Sequence, residues 1–549
     1  MVALLHDNLV QFDVDAVNLV TASYTRRWIR GGRMNDGRTG GEVKETVLGL
    51  RPFAALRVTM LVAALLLISL TTVPAQSLSK RLDKRLDTPP FDKSLWGVSV
   101  VDHGGKLLYG RNERRLFTPA SNAKLIVTAV ASALLPPDFT VRTSLYAAGP
   151  VIAGVLRGDL VLYGRGDPAF SRRCYATDTL IAGVCDRDPF APLRLMADTL
   201  KARGIRQVAG DLVGDGSYFE AASLHPGWEL FDLNWWYAAP VSALAFNDNS
   251  LDFVWQPGVA VGAPALISMW PDLGDVAFEN RTLTVAPGGE TDIGDRFFRQ
   301  PGTAQVWAEG TVALDRPPRT ESFAVADPNL FAARALRQTL LDAGIAVTGT
   351  TRSTTDSVRY AAARSRPPLA ETVSRPVRDW IFPILNTSQN LFAEMLLKQL
   401  GKRFGGGGSW KEGLAVERRF MIDSMRIDST EFHLSDGSGL SSENLMSPQA
   451  FTRLLRYIRA HPRFATFAPG LPQAGGTGNL RTRFFATPLA GRVRAKTGSI
   501  SGVNTLAGYI ERPDGKPLTF AIEVNHHAQP TRAVLAAIDS VVVEMGKGR

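Results

Sequence analysis

Three short runs, spread over most of the chain, constrain it more than any other feature: SNAK at Ser121 to Lys124, SQN at Ser388 to Asn390, and KTG at Lys496 to Gly498. Each alone is common, and Ser-x-x-Lys reads equally well as an ordinary helix start. Their settings carry the information. The first opens FTPASNAKLIVTAVASALL, where Thr118 or Ser121 caps a helix that runs to Leu135 and stops at Pro136-Pro137. The second stands at another helix start, in LNTSQNLFAEMLLKQL, and the third lies on a strand, in VRAKTGSI. A fold that uses all three must bring two helix starts and a strand together from remote parts of the chain.

The chemistry available to such a meeting is coherent. Ser121 and Lys124, at i and i+3, share one helix face, so the amine lies within reach of the hydroxyl and no histidine is needed. Lysine becomes a base when burial or a neighbouring cation lowers its pKa, and Lys496 is a candidate neighbour. Ser388 can pass a proton to a leaving amine, and Asn390 can donate to a substrate amide and fix Lys124. Lys496 and Thr497, on an edge strand, can bind a terminal carboxylate. The Ser499 N–H beside Gly498, with the Ser121 N–H, would form an oxyanion hole.

Around these runs the chain reads as two kinds of structure. GVSVVDHGGKLLYGRNERR alternates as a hairpin turning at Gly104-Gly105, after a charged entry, KRLDKRLDTPPFDKS. From about residue 139 to 323 short alternating strands and Gly, Pro and Asp turns predict a separate β-rich segment. Helices return from residue 324, and the end reads as three strands followed by a helix from Pro530 to Met545. The run Gly405 to Gly408 lacks the Lys-Ser/Thr of a phosphate loop and reads as a helix-to-helix turn.

At 549 residues and 45% apolar, the chain supports two or more cores. Of its net charge of +10, +8 lies beyond residue 75, spread among nearly as many acids, which argues against nucleic-acid binding and suits a solvated surface facing a polyanionic wall. Met60 to Leu70 is apolar for eleven residues and precedes Val73 and Ala75, a small-residue cleavage signature. Residues 60–75 therefore read as a signal peptide, too short to span a membrane, and the protein as exported, periplasmic or extracytoplasmic, with at most peripheral membrane association. Residues 1–59 form an upstream segment that translation from Met34 would shorten. Cys174 and Cys185 form a candidate disulfide. No histidine shows metal-ligand spacing, and neither metal nor cofactor is expected.

The three motifs resemble those of penicillin-binding proteins and serine β-lactamases, in which Ser-x-x-Lys, Ser-x-Asn and Lys-Thr-Gly meet in one cleft. The 267-residue separation of Ser121 and Ser388 is too long for a simple β-lactamase. That gap is similar to the low-molecular-mass class C family of D-alanyl-D-alanine carboxypeptidase/endopeptidases, which carries extra domains there. GRGDPAF (164–170), GDLVGDGSYFE (210–220), AAPVSALAFNDN (238–249) and DGSGLS (436–441) agree with that family, although Arg165 replaces an expected small residue. The resemblance implies a β-lactamase/transpeptidase-like α/β domain, an antiparallel sheet with flanking helices, built from residues 86–138 and 324–549 around a large β-rich insert at 139–323. It implies a serine-type D-Ala-D-Ala carboxypeptidase acting on peptidoglycan peptides, inhibited by β-lactams, with Asp436 and Ser438 in supporting roles beside the cleft. The alternatives are a β-lactamase or esterase of the same superfamily and a catalytically silent wall-binding protein. Glu394 is a candidate base set against a solvated or ion-paired helix carboxylate, and Trp228, Trp235, Trp236 and Tyr237 are candidates for packing between insert and main domain.

Overall fold

The computed structural model describes residues 77–170 and 188–547; the stretch read as a signal peptide, the upstream segment and the two cysteines Cys174 and Cys185 lie outside the described residues. Helix α1 (Leu78–Leu86) precedes strands β1 (Leu95–Val101) and β2 (Leu107–Arg111). The hairpin between them turns as the sequence predicts. Asp102 accepts from the Lys106 N–H at 2.9 Å, and Gly105 adopts φ +93°.

A 3₁₀ turn at Ala120–Ala123 leads into helix α2 (Lys124–Leu134). After the insert come helices α3 (Val377–Asn386), α4 (Asn390–Leu400), α5 (Trp410–Asp423) and α6 (Pro448–Ala460). Strands β3 (Val493–Ile500), β4 (Val503–Ile510) and β5 (Leu518–Asn525) and helix α7 (Thr531–Gly546) close the chain.

Five strands form one antiparallel sheet in the order β2-β1-β5-β4-β3. The first strand therefore pairs with the last, Leu95 opposite Asn525. Alternation of side chains gives the sheet two apolar faces. On one, Leu506, Ile510, Phe520, Ile522 and Val524 pack against Leu82 and Leu86 of α1 and Val534, Ile538 and Val542 of α7. On the other, Ala507, Tyr509 and Ala521 meet the cluster built by α2, α3, α4 and α6. Lys496 and Gly498 alternate with Val493 and Ala495 of the first cluster, and so point to the helical side.

The charged entry thus includes a helix that the sequence did not suggest. Its composition is polar, but Leu82 and Leu86, four apart, are fully buried while Arg81 and Arg85 pair with Glu544 of α7.

The inserted region departs from expectation in two ways. It contains a helix, Ala191–Ala202, and it does not end at 323. Helix Pro328–Asp342 packs its Phe331, Leu336 and Leu340 with Leu193, Met196 and Leu200 of that helix. Strands Ala346–Val347 and Thr351–Thr354 pair in parallel with Gln207–Val208 and Leu212–Asp215, and Ala370–Val373 pairs with Arg142–Ala147. The chain returns to the helical body after Val373, not at residue 324, because its strands complete two sheets whose pairing partners lie 139 or more residues upstream. Within the insert, two three-stranded sheets between residues 250 and 324 enclose Phe253, Phe297 and Phe323. Residues Phe219, Trp228, Val241 and Ala245 pack in the opposite direction, into the helical core of the main body. Arg165, the family outlier, lies 4.8 Å over the Tyr163 ring and donates to Ser144 Oγ and Tyr146 Oη, inside the insert.

Candidate active site

Ser121 sits in the 3₁₀ turn ahead of α2 rather than on the α-helix itself. A 3₁₀ turn eclipses residues three apart, which brings Lys124 directly over Ser121. The Lys124 Nζ donates to Ser121 Oγ at 2.9 Å and to the Ser438 carbonyl at 2.6 Å. Lys124 is fully buried, and that burial pushes its pKa down to about 7, against upward pulls from Asp436 and Glu394. Lys496 is not among the causes. Its effect runs the other way: burial first, then the Lys124 charge, push the Lys496 amine well below its ordinary value.

The turn is clamped from the sheet. Thr118 N–H donates to Asn525 Oδ1 at 2.8 Å, Asn525 Nδ2 donates back to the Thr118 carbonyl at 3.1 Å, and Thr505 Oγ1 donates to the Pro119 carbonyl at 2.9 Å. These contacts hold Ala120 at φ +46°, an uncommon conformation for a residue with a side chain. Sequence reasoning missed Thr505 and Asn525. Their signal is faint: buried polar residues among several in these strands, beside Asn504 in β4 and Thr519 and Glu523 in β5.

Gly498 lets β3 approach the turn. A Cβ there would lie 2.2 Å from Thr505 Oγ1, 2.7 Å from the Pro119 carbonyl and 3.0 Å from the Ser121 nitrogen. The strand backbone around Gly498 and Ser499 therefore abuts the Ser121 amide, and the Ser499 hydroxyl accepts from Asn504 Nδ2 at 3.0 Å. Residues 472–474 bond to β3 as far as Ala495, which leaves the edge beyond Thr497 without such a cover. Asn479 reaches the Thr497 hydroxyl at 3.4 Å from that loop.

Ser388 stands at φ +65° in the break between α3 and α4. Its hydroxyl accepts from Lys496 Nζ at 2.9 Å, and Lys496 also donates to the Thr497 carbonyl at 2.7 Å. Asn390 does not fix Lys124 as its motif position suggested; its Nδ2 donates to the Tyr237 carbonyl at 2.7 Å. The acceptor that fixes Lys124 is the Ser438 carbonyl, supplied by the DGSGLS loop.

Asp436 organises that loop. It accepts from Gly439 N–H at 2.6 Å, Ser441 N–H at 2.7 Å, Asn444 Nδ2 at 2.8 Å and Trp228 Nε1 at 3.0 Å. Glu394 is neither solvated nor paired with a cation. It is buried and accepts from Ser438 N–H at 2.7 Å, Trp410 Nε1 at 2.7 Å and Gly437 N–H at 3.1 Å. Trp228 meets Trp410 edge to face, joining the 219–245 stretch to the helices, whereas Trp235 packs against Phe323 within the insert. The run Gly405–Gly408 connects α4 to α5, with Gly406 at φ +95° and Ser409 capping α5 through Glu412 N–H. Among the described residues no His, Cys, Asp or Glu group could hold a metal ion, and no helix is long and apolar enough to cross a membrane.

Comparison with known proteins agrees with this geometry. The profile of the D-Ala-D-Ala carboxypeptidase 3 (S13) family matches residues 78–545. The chain is 31% identical to a D-alanyl-D-alanine carboxypeptidase of Actinomadura sp. (strain R39), over 93% of this chain and 92% of that protein. It is 27% identical to the D-alanyl-D-alanine carboxypeptidase DacB of Haemophilus influenzae, over 75% of this chain and 81% of that one. The crystal structure of penicillin binding protein 4 from Haemophilus influenzae has the same fold, with a TM-score of 0.72 at 23% identity, covering 85% of this chain and 99% of that one. With a β-lactamase/transpeptidase-like body and a profile match over most of its length, the chain belongs to the D-Ala-D-Ala carboxypeptidase 3 (S13) family of low-molecular-mass class C penicillin-binding proteins.

Proposed function

We propose that the protein cleaves the D-Ala-D-Ala bond of peptidoglycan stem peptides, and the equivalent bond of D-alanyl cross-links, through an acyl-enzyme on Ser121. The observation that carries this reading is the pairing of two buried lysines with two hydroxyls, Lys124 on Ser121 and Lys496 on Ser388, each at 2.9 Å. Neutral Lys124 takes the Ser121 proton as Oγ attacks the carbonyl carbon of the penultimate D-alanine. The carbonyl oxygen becomes an oxyanion facing the N–H groups of Ser121 and Ser499. Ser388 accepts from Lys496, which directs its own proton into the cleft toward the leaving amine. The proton taken by Lys124 passes through Ser388 to the leaving nitrogen as the C–N bond breaks and D-alanine departs; neutral Lys124 then takes a proton from the water that attacks the acyl carbonyl and returns it to Ser121 Oγ as the ester bond breaks.

Lys496 and Thr497 provide the amine donor and the hydroxyl suited to a terminal carboxylate. Asn390, tied to Tyr237, lines the opposite side and presents its amide to the substrate backbone. Asp436 and Ser438 act on the cleft from beneath, one by shaping the loop and one through its carbonyl. β-Lactams, whose strained amide mimics the scissile bond, acylate the same serine. The substrate places the enzyme outside the cytoplasm, in keeping with the leader read at residues 60–75 and with a disulfide between Cys174 and Cys185.

Intact-mass spectrometry with excess benzylpenicillin, beside Ser121→Ala, tests the assignment. One adduct on the wild type and none on the variant, together with D-alanine release from a stem pentapeptide, is the expected result. Rapid penicillin turnover without D-alanine release would instead make it a β-lactamase. Absence of adduct, penicillin consumption and D-alanine release would favour a silent wall-binding protein.

A further inference from the structure

Lys124 is held in place by a backbone carbonyl, which raises the question of what holds that carbonyl. The Ser438 peptide has its oxygen on Lys124 and its nitrogen on Glu394, so the base and the carboxylate grip the same residue from opposite ends. Glu394 lies one helical turn past Asn390, on a different element from both Lys124 and the loop.

Every polar neighbour bonded to Glu394 is a donor. One carboxylate oxygen takes the Ser438 N–H, and the other takes Trp410 Nε1 and the Gly437 N–H, all between 2.7 and 3.1 Å. A carboxyl proton would point at a donor on either oxygen, so this arrangement fits the ionised form. Burial and Asp436 work against ionisation and push the group up to about 7, while the three donors pull it down. The charged and titratable groups around it are Lys124 on α2, Asp436 in the loop, Glu417 on α5 and Lys398 on α4, with Glu220 and His225 behind them. Glu417 is driven well above its ordinary value by burial, then by Glu394 and Asp436, whereas Glu394 is tied directly to the loop through the Gly437 and Ser438 amides.

Resting on the assignment of Lys124 as base, we infer that Glu394 is a positioning residue: through the Gly437 and Ser438 amides it fixes the carbonyl that seats Lys124 against Ser121, and its charge sets the pH at which that base works. The link extends to the insert. Trp410 carries the Lys398 ammonium 3.4 Å above its ring, its backbone N–H donates to Glu220 at 2.8 Å, and Lys398 pairs with Glu220 at 3.0 Å. Glu220 thus ends a path of direct contacts that starts at the nucleophile.

The test is the pH profile of acylation by benzylpenicillin in Glu394→Gln and Trp410→Phe, with the rate at saturation separated from the apparent affinity. A glutamine must turn its NH₂ toward an N–H donor, which displaces the loop. The saturated rate should fall by about 10- to 100-fold, as small misplacements of reacting groups do, with little change in affinity. The midpoint of the profile should move to lower pH, because a negative charge that favours protonated Lys124 is gone. Trp410→Phe keeps the carboxylate and an aromatic ring, and removes one donor; it should fold and shift the midpoint in the same direction by less. Folded variants with the wild-type midpoint and rate overturn the inference, as does a loss of thermal stability alone. Lack of any Ser121 adduct in the wild type would instead remove the base assignment beneath it, so the two failures are distinguishable.

Discussion

Lys496 Nζ donates to the hydroxyl of Ser388 at 2.9 Å, joining an edge strand to the break between two helices across 108 residues of chain. Ser388 is held at a positive φ by that break, so its hydroxyl direction depends on the lysine. Ser388→Ala and Lys496→Ala should each slow acylation by about 10²- to 10⁴-fold, the range of a lost proton-transfer partner. The double variant should lose much less than the product, since the two act as one unit. Stopped-flow acylation of the three proteins checks this.

The acylation rate should rise with pH through about 7 and level off above it, because Lys124 must be neutral to accept the Ser121 proton and burial lowers its pKa to about 7. Lys124→Met should not acylate, yet should melt higher at neutral pH. The sign follows from the protons bound: between about 7 and the ordinary lysine value of 10.5 the unfolded chain holds a proton that the native state lacks. Wild-type stability therefore climbs with pH across that window. The advantage of Lys124→Met is full at or below pH 7 and fades toward 10.5, and calorimetry at pH 7 and pH 10 measures it.

Gly498→Ala introduces a methyl group 2.2 Å from Thr505 Oγ1 and 3.0 Å from the Ser121 nitrogen. The strand and the 3₁₀ turn must separate, at a cost of about 1–3 kcal/mol for an overpacked site. Because the strain falls on the amides facing the developing oxyanion, acylation should drop by about 10²-fold or more. Glycine at this position in the motif is thus explained by a close approach and not by turn geometry.

Glu523 on β5 is fully buried, neither of its oxygens has a hydrogen-bond partner among the described residues, and burial drives its pKa well above the ordinary value. The native state keeps a proton that the unfolded chain releases above about pH 4.3, so Glu523 destabilises the fold increasingly as pH rises. Glu523→Leu should stabilise by about 1–3 kcal/mol near pH 8 and by less at pH 4, read from denaturant midpoints.

The groups that must be serine or lysine were legible in the sequence, because the chemistry fixes both residue type and spacing. Ser121 and Lys124 at i and i+3 announce themselves; the Ser438 carbonyl that seats Lys124 does not, since any residue supplies a carbonyl. Thr505 and Asn525 are each one of several buried polar side chains in their strands, and only their partners, 386 and 407 residues away, give them meaning. The end of the insert was misplaced for the same reason. Thr351–Thr354 pairs in parallel with Leu212–Asp215, and parallel partners leave no hairpin turn in the local sequence. In α1 the two fully buried leucines made too narrow a stripe to stand out from five charged neighbours.

The pairing of the first strand with the last has a consequence for how the chain comes alive. Ser121 emerges early in synthesis, but the clamp on its turn includes Asn525, opposite Leu95, and folding across such a separation is slow. A growing chain can hold all three motifs and still lack the strand that seats the nucleophile. The clamp on the hydrolytic site is therefore incomplete until β5 has paired with β1, so a chain without that strand lacks the contact that seats its nucleophile.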